Sequence, residues 1–119
     1  FILVGYSGGA AIAAILAAQR DDVIKLITVA GNLDHQAWTK LHKLSPLTGS
    51  LNPIDYQEKL QTIPQIHFVG EDDKTIPPRL IQDFVAAYKS DKLTNVVVVP
   101  NQSHNCCWQD IWPSLSISY

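Results

Sequence analysis

The strongest pattern in the sequence is a set of four short, nearly continuous runs of apolar residues. Polar or turn-forming residues separate these runs. Runs of this kind are typical of strands in a parallel sheet that is covered on both faces. The predicted strands are residues 1–6, 24–30, 65–69 and 95–99.

Helical patterns occupy the segments between and after these runs. Residues 9–20 are rich in alanine, isoleucine and leucine, and residues 78–89 place apolar side chains on one face at the 3.6-residue repeat. A last helix is predicted at residues 106–112. Alternating strands and helices favour an α/β fold: a mostly parallel sheet of about four strands, with flanking helices and right-handed crossovers. The length of 119 residues suits a single domain over residues 1–119.

The connection at residues 31–64 is long for a compact domain. It contains a predicted short helix at residues 34–43, with Asp34 as its N-cap. Long connections often have a function of their own, so a lid-like insert is expected here. A surface excursion without a function is the alternative.

Directly after the first predicted strand, the sequence reads Gly5-Tyr6-Ser7-Gly8-Gly9, a G-x-S-x-G motif. The motif alone is weak, because a chain of this size would contain it by chance roughly 4 times in 100. Its position between a strand and a helix is the setting that a nucleophile elbow requires. The serine would occupy a strained turn, and the flanking glycines would avoid clashes with the neighbouring strand and helix. A glycine-rich phosphate loop is the alternative, but the spacings of such loops are missing.

With this motif in place, the sequence resembles the α/β-hydrolase superfamily, in particular its serine esterases and lipases. The resemblance implies that an acid and then a histidine follow the serine. Residues 69–77 (VGEDDKTIP) look like the family's acid loop and match the acid to Asp73 rather than to Asp72. His104, after the last predicted strand, matches the catalytic histidine. Because all three residues follow parallel strands, we expect them to meet at one edge of the sheet.

The resemblance implies a serine hydrolase that cleaves an ester-like bond of a small molecule through an acyl-enzyme. His104 would act as the general base, Asp73 would orient it, and the backbone N–H of Gly8 would contribute to the oxyanion hole. Neither a metal nor a cofactor is expected. Two other interpretations stay open: a thioester or amide hydrolase on the same fold, and a non-enzymatic or inactive binding module that kept the fold.

Other side chains are candidates for the surroundings of the site. Asp34 follows the second strand, a position that some lipase relatives use for the acid. His42 could also line the pocket, whereas His67 lies within a strand and is expected in the core. The residues expected to form the pocket are Tyr6, Asp34, His35 and Trp38. The residues expected to pack in the core or near the site are Cys106, Cys107, Trp108 and Trp112.

Composition narrows the range of partners. Hydrophobic residues make up 46% of the chain and charged residues 17%, which is the profile of a globular protein. The formal net charge is -2 and the basic residues are scattered, so neither nucleic acid nor an anionic membrane is an expected partner. No apolar run approaches the roughly 20 residues that span a bilayer. The two cysteines are adjacent, so they predict neither a disulfide framework nor a zinc site.

The sequence begins at Phe1, inside an apolar run, and contains no methionine. We therefore expect it to be the C-terminal part of a longer hydrolase, without the strands that precede the elbow or the loop that supplies the second oxyanion-hole N–H. Loss of one such donor costs on the order of a hundred- to thousandfold in rate, so this part alone is expected to be a poor catalyst. The first strand would be a bare apolar edge, which favours self-association through that strand.

Overall fold

A computed structural model describes residues 1–42, 52–105, 108 and 112 of the chain. This part of the chain forms a sheet of four parallel strands in the order β1-β2-β3-β4. Every strand begins and ends within one residue of its predicted position, and the predicted α/β class is confirmed. The strands are β1 (Ile2–Tyr6), β2 (Lys25–Val29), β3 (Gln65–Gly70) and β4 (Thr94–Val99).

Helices connect successive strands. The first crossover contains α1 (Gly8–Gln19) and the last contains α4 (Pro78–Ala86). The insert between β2 and β3 contains α2 (His35–Leu41), a 3₁₀ helix (Pro53–Tyr56) and α3 (Gln57–Leu60). Each predicted helix within the described residues is therefore present, and the insert holds two short ones in addition.

The ends of these helices follow from local contacts. The predicted cap of α2 is confirmed, because the Asp34 carboxylate accepts a hydrogen bond from the backbone N–H of Ala37 at 3.1 Å. Helix α4 ends at Ala86 rather than at residue 89, since the N–H of Tyr88 donates to the carbonyl of Val85 in a tighter turn. The predicted helix at residues 106–112 and the packing of Cys106 and Cys107 lie outside the described residues.

The main core lies between one face of the sheet and helices α1, α3 and α4. Strand residues such as Leu26 and Val69 pack there with Ile81 and Phe84 of α4. Small side chains on the buried side of α1 let this helix approach the strands closely: Ala10, Ala13, Ala14 and Ala17.

The opposite face of the sheet carries a smaller core. Ile66 and Phe68 of β3 pack there with Trp108, and the Trp112 ring lies edge-on to the Phe68 ring at 5.9 Å. Both tryptophans therefore belong to this core, which agrees with the sequence expectation.

A buried hydrogen-bond network crosses the main core. Oε1 of Gln65 accepts from Nε2–H of His67 at 2.7 Å and from the Tyr88 hydroxyl at 2.8 Å. The His67 imidazole is therefore a donor at Nε2, and its Nδ1 accepts from the Thr28 hydroxyl at 2.6 Å. Burial keeps the ring neutral and lowers the pKa of His67 to about 4. The expectation that His67 belongs to the core is confirmed.

Candidate active site

Ser7 lies in the turn between β1 and α1, at the carboxyl end of its strand. Its φ is 52°, a left-handed conformation that is costly for a residue with a side chain. The Ser7 N–H donates to the carbonyl of Val29 at 2.9 Å, and the Ala10 N–H donates to the Ser7 carbonyl at 3.1 Å. Contacts from β2 and from α1 therefore hold the strained turn in place.

The glycines around Ser7 differ in what they allow. A Cβ at Gly5 would lie 2.5 Å from Cα of Ala10 and from the carbonyl oxygen of Gly9, so α1 can pack this closely only because residue 5 has no side chain. A Cβ at Gly8 or Gly9 would meet no atom within 4 Å. The predicted clash is confirmed for Gly5 and wrong for Gly8 and Gly9, because these two residues lie in an exposed first turn of α1.

Three residues other than glycine have positive φ in the described part of the chain: Ser7, Ala30 and Asn101. They follow the carboxyl ends of β1, β2 and β4. Because strain of this kind tends to concentrate at functional sites, its position favours this edge of the sheet as the functional edge.

The structure brings the side chains of Ser7, Asp73 and His104 together at this edge. Oγ of Ser7 lies 2.9 Å from Nε2 of His104, and Nδ1 of His104 lies 2.9 Å from Oδ2 of Asp73. The Asp73 side chain is fully buried and that of His104 is 14% exposed. Since an ionised carboxylate only accepts, Nδ1–H of His104 donates to Asp73, and Nε2 of the neutral ring can accept the proton of Ser7.

Backbone N–H groups hold the other oxygen of the Asp73 carboxylate. Oδ1 accepts from the N–H of Thr75 at 2.9 Å and from the N–H of Ile76 at 2.7 Å. Asp72 is exposed, and its N–H donates to the carbonyl of Gln102 at 2.9 Å. Of the two adjacent aspartates, Asp73 thus faces His104, whereas Asp72 contacts the histidine loop through its backbone.

A cavity of about 650 Å³ opens beside Ser7. Of the residues expected in the pocket, His35 and Trp38 line it, and Tyr6 and Asp34 are not among its lining residues. Asp34 instead caps α2. The apolar wall of the cavity comes mainly from side chains that the sequence pattern does not mark as candidates: Ile12, Ile15, Leu16 and Ile76. The signal was present, because α1 carries large apolar residues on the side opposite its buried alanines.

Three further hydrogen bonds connect the segments around the site. The Tyr6 hydroxyl donates to the backbone carbonyl of His104 at 2.6 Å. On the other side, His42 Nε2 and Trp38 Nε1 both donate to the carbonyl of Thr75, at 2.7 Å and 3.1 Å. Helix α2 is thereby attached to the loop that carries Asp73.

Two polar atoms between the end of β2 and the first residue of α2 are buried without a hydrogen-bond partner: Oδ1 of Asn32 and Nδ1 of His35. Burial lowers the pKa of His35, and the neighbouring Asp34 carboxylate opposes this shift. Both residues line the cavity. Asn32 was missed by the sequence reasoning, since a single asparagine in a loop gives no periodic signal.

Within residues 1–42 and 52–105, no three His, Cys, Asp or Glu side chains are grouped so that they could hold a metal ion. In the same part of the chain, every helix is too short or too polar to cross a membrane.

The family model for serine hydrolase (FSH1) matches residues 2–105 of the chain. A search among curated proteins found no match. The segment that the family model matches includes Ser7, Asp73 and His104 together with the loops that carry them.

Solved structures of hydrolases share this fold. The chain is similar to a puromycin-hydrolysing peptidase from Mycobacterium tuberculosis, with 19% identity, a TM-score of 0.71, and coverage of 87% of this chain and 18% of that one. It is similar to the esterase domain of a Rhodothermus marinus protein, with 14% identity, a TM-score of 0.73, and coverage of 98% and 59%. An α/β serine hydrolase homologue from Coxiella burnetii shares 22% identity, a TM-score of 0.66, and coverage of 98% and 46%. The chain thus spans 18% to 59% of the length of these proteins, and its fold is that of the α/β hydrolases.

Proposed function

The chain belongs to the serine hydrolase (FSH1) family, and from this premise we propose that it hydrolyses ester bonds through an acyl-enzyme formed on Ser7. The observation that supports this most strongly is the continuous hydrogen-bonded path from Asp73 through His104 to Ser7. The path ends at a serine held in a strained turn, which is the setting of an activated nucleophile.

In the first half of the reaction, the Ser7 hydroxyl gives its proton to Nε2 of His104 while Oγ attacks the ester carbonyl carbon. Asp73 holds Nδ1–H and stabilises the imidazolium that forms. The backbone N–H of Gly8, directly after the nucleophile, donates to the oxyanion of the tetrahedral intermediate. When the intermediate collapses, the leaving alcohol takes the proton from His104, and the acyl group stays on Ser7.

In the second half, water replaces the alcohol. His104 takes a proton from the water as its oxygen attacks the acyl carbonyl carbon, and then returns that proton to Oγ of Ser7. The carboxylic acid leaves and the site is restored. The same three side chains therefore serve both halves.

The cavity beside Ser7 supports an apolar acyl group as part of the substrate. Ile12, Ile15 and Trp38 offer hydrocarbon surface to whatever fills the cavity. Each methylene group buried there contributes about 0.8 kcal/mol to binding. Esters of apolar carboxylic acids are thus the substrate class that this lining favours.

The site geometry bears differently on the alternatives to an ester hydrolase. A thioester or an amide would pass through the same intermediates, so the site residues alone do not separate these substrates from esters. A non-enzymatic binding module is disfavoured, because binding alone requires neither a serine at positive φ nor an oriented imidazole 2.9 Å from its hydroxyl.

Labelling with a fluorophosphonate probe tests the proposal, since such probes react with activated serines. We expect Ser7 to be labelled, and we expect Ser7→Ala to lose the label together with hydrolysis of p-nitrophenyl octanoate. Ser90→Ala is the matched control, because Ser90 lies exposed after α4. Labelling that survives in Ser7→Ala, or a protein that neither labels nor hydrolyses esters, would overturn the proposal.

A further inference from the structure

The residue directly before Ser7 contacts the loop that carries His104. The hydroxyl of Tyr6 lies 2.6 Å from the His104 carbonyl oxygen, and the two rings are stacked with centroids 5.8 Å apart and an angle of 28° between their planes. These residues are 98 positions apart in the sequence. We propose that Tyr6 is a positioning residue, which holds His104 at the distance from Ser7 that proton transfer requires; this inference rests on the proposed function.

The contact has a fixed direction. A carbonyl oxygen can only accept, so the Tyr6 hydroxyl is the donor. The second acceptor within reach, Oδ1 of Asn105, is 3.5 Å away, at the limit of a hydrogen bond. The one hydroxyl proton therefore goes to the backbone of His104.

Tyr6 and the acid loop hold the histidine loop from two sides of the site. From the acid loop after β3, Asp72 donates its N–H to the carbonyl of Gln102, and Asp73 accepts from the imidazole. From β1, Tyr6 reaches the carbonyl of His104 itself. The contacts from β3 fix the loop relative to the acid, whereas the contact from β1 fixes it relative to the nucleophile.

The position of Tyr6 in the chain makes this second contact effective. Tyr6 is 45% exposed, so its side chain is not a core residue. Its backbone is joined directly to Ser7, whose conformation is held by hydrogen bonds to β2 and α1. The nucleophile and the hydroxyl that anchors its base thus belong to adjacent residues, and a shift of the His104 backbone away from Ser7 would stretch the 2.6 Å contact.

The stacked ring adds a second contribution. During the reaction the imidazole becomes positively charged, and an aromatic face within about 6 Å attracts a cation. Tyr6→Phe removes the hydrogen bond and keeps the ring, whereas Tyr6→Leu removes both. We expect the two contributions to appear as successive losses in kcat.

A double-mutant cycle with His104 tests the inference on the full chain. We expect Tyr6→Phe to lower kcat about tenfold, as the loss of one hydrogen bond would, and to leave KM unchanged because Tyr6 does not line the cavity. In a His104→Ala background, the same substitution should change the residual rate less than about twofold. Asn105→Ala is the matched control and should leave kcat unchanged.

The outcomes separate this inference from the proposed function. A Tyr6→Phe effect of equal size in both backgrounds, or no effect in a protein that needs His104, overturns the inference and leaves the proposed function standing. Full activity of His104→Ala overturns both. Thermal unfolding of each variant shows whether the fold is kept, and a loss of kcat that follows a loss of fold counts against a positioning role.

Discussion

At the scale of single residues, the two oxygens of the Asp73 carboxylate accept hydrogen bonds from different partners. Oδ1 accepts two backbone N–H groups, and Oδ2 accepts Nδ1–H of His104. In Asp73→Asn, the amide oxygen can still serve the backbone, but the NH₂ group then points at Nδ1 and favours the tautomer with the proton on Nε2. We predict a fall in kcat of about 10⁴-fold, measured with p-nitrophenyl octanoate, because that tautomer cannot accept the proton of Ser7.

Two other aspartates give matched controls for this substitution. Asp72→Asn should leave kcat within about twofold, because Asp72 contacts the histidine loop through its backbone N–H. Asp34→Asn tests the alternative acid and should also be active, since asparagine caps a helix nearly as well as aspartate. Similar losses in Asp72→Asn and Asp73→Asn would contradict the role assigned to Asp73.

The sequence predicts some residues of this region and misses others for a physical reason. Ser7, Asp73 and His104 can be predicted from the sequence because each stands in a short local motif beside a strand end, and the structure brings their side chains together. Tyr6 stands in the same motif, but its contact with the His104 carbonyl joins positions 98 residues apart and has no local signature. Asn32 is missed on the same ground, since its place beside the cavity depends on how the loop after β2 turns.

At the scale of elements, the packing of α1 against β1 depends on Gly5. We predict that Gly5→Ala lowers the free energy of unfolding by about 2 kcal/mol or more, because the new Cβ would meet backbone atoms of α1 at 2.5 Å. Gly9→Ala is the matched control, since its Cβ would enter open space and alanine favours the helix by up to about 1 kcal/mol. Urea unfolding of both variants measures the difference, and equal destabilisation would contradict this account of the elbow.

The regular elements are predictable from the sequence as far as they repeat. The four strands are short and apolar throughout, so each is predicted to within one residue. The 3₁₀ helix and α3 contain four residues each, about one turn, which is too short to reveal a period. The sequence predicts the end of α4 at residue 89, because Tyr88 continues the apolar pattern, but the helix ends at Ala86. Tyr88 is apolar in the pattern but serves as a hydrogen-bond donor to Gln65 in the fold.

The pairing of β2 with β3 carries a pH dependence of stability. Thr28 and His67 are cross-strand neighbours, and burial lowers the pKa of His67 from 6.5 to about 4. Below pH 6.5 His67 of the unfolded chain binds a proton, whereas His67 of the folded chain stays neutral until the pH approaches 4. The contribution of this group to the free energy of unfolding is therefore fully present above pH 6.5 and is lost as the pH falls to about 4. At about 1.36 kcal/mol per pH unit, the loss from this group amounts to about 3 kcal/mol.

NMR titration of the His67 imidazole, together with urea unfolding at pH 7 and pH 4.5, measures this effect. We expect the His67 resonances of the folded protein to stay constant between pH 7.5 and pH 5. The free energy of unfolding of a His67→Gln variant should fall less between pH 7 and pH 4.5 than that of the unsubstituted chain. A midpoint for His67 near 6.5 would contradict the role of burial.

At the scale of the whole molecule, the residues that the structure describes cover the two faces of the sheet unequally. Helices α1, α3 and α4 cover one face, and Trp108 and Trp112 pack on the other face against β3. On that second face, Ile2 and Val4 of β1 are 55% and 54% exposed. β1 is also an edge strand of the described sheet. Within the described residues, the backbone edge of β1 that faces away from β2 therefore lies beside these exposed apolar side chains.

An apolar edge strand of this kind is a template for another strand, so we propose that two copies of this 119-residue chain pair through β1. Light scattering at increasing concentration should then show a mass that rises from 13.2 kDa towards twice that value. Val4→Lys should keep the chain monomeric, because a charge on the exposed face of β1 opposes pairing, whereas Gln82→Lys on the exposed side of α4 should associate as before. A chain that stays monomeric at high micromolar concentration, or a Val4→Lys variant that associates normally, would contradict pairing through β1.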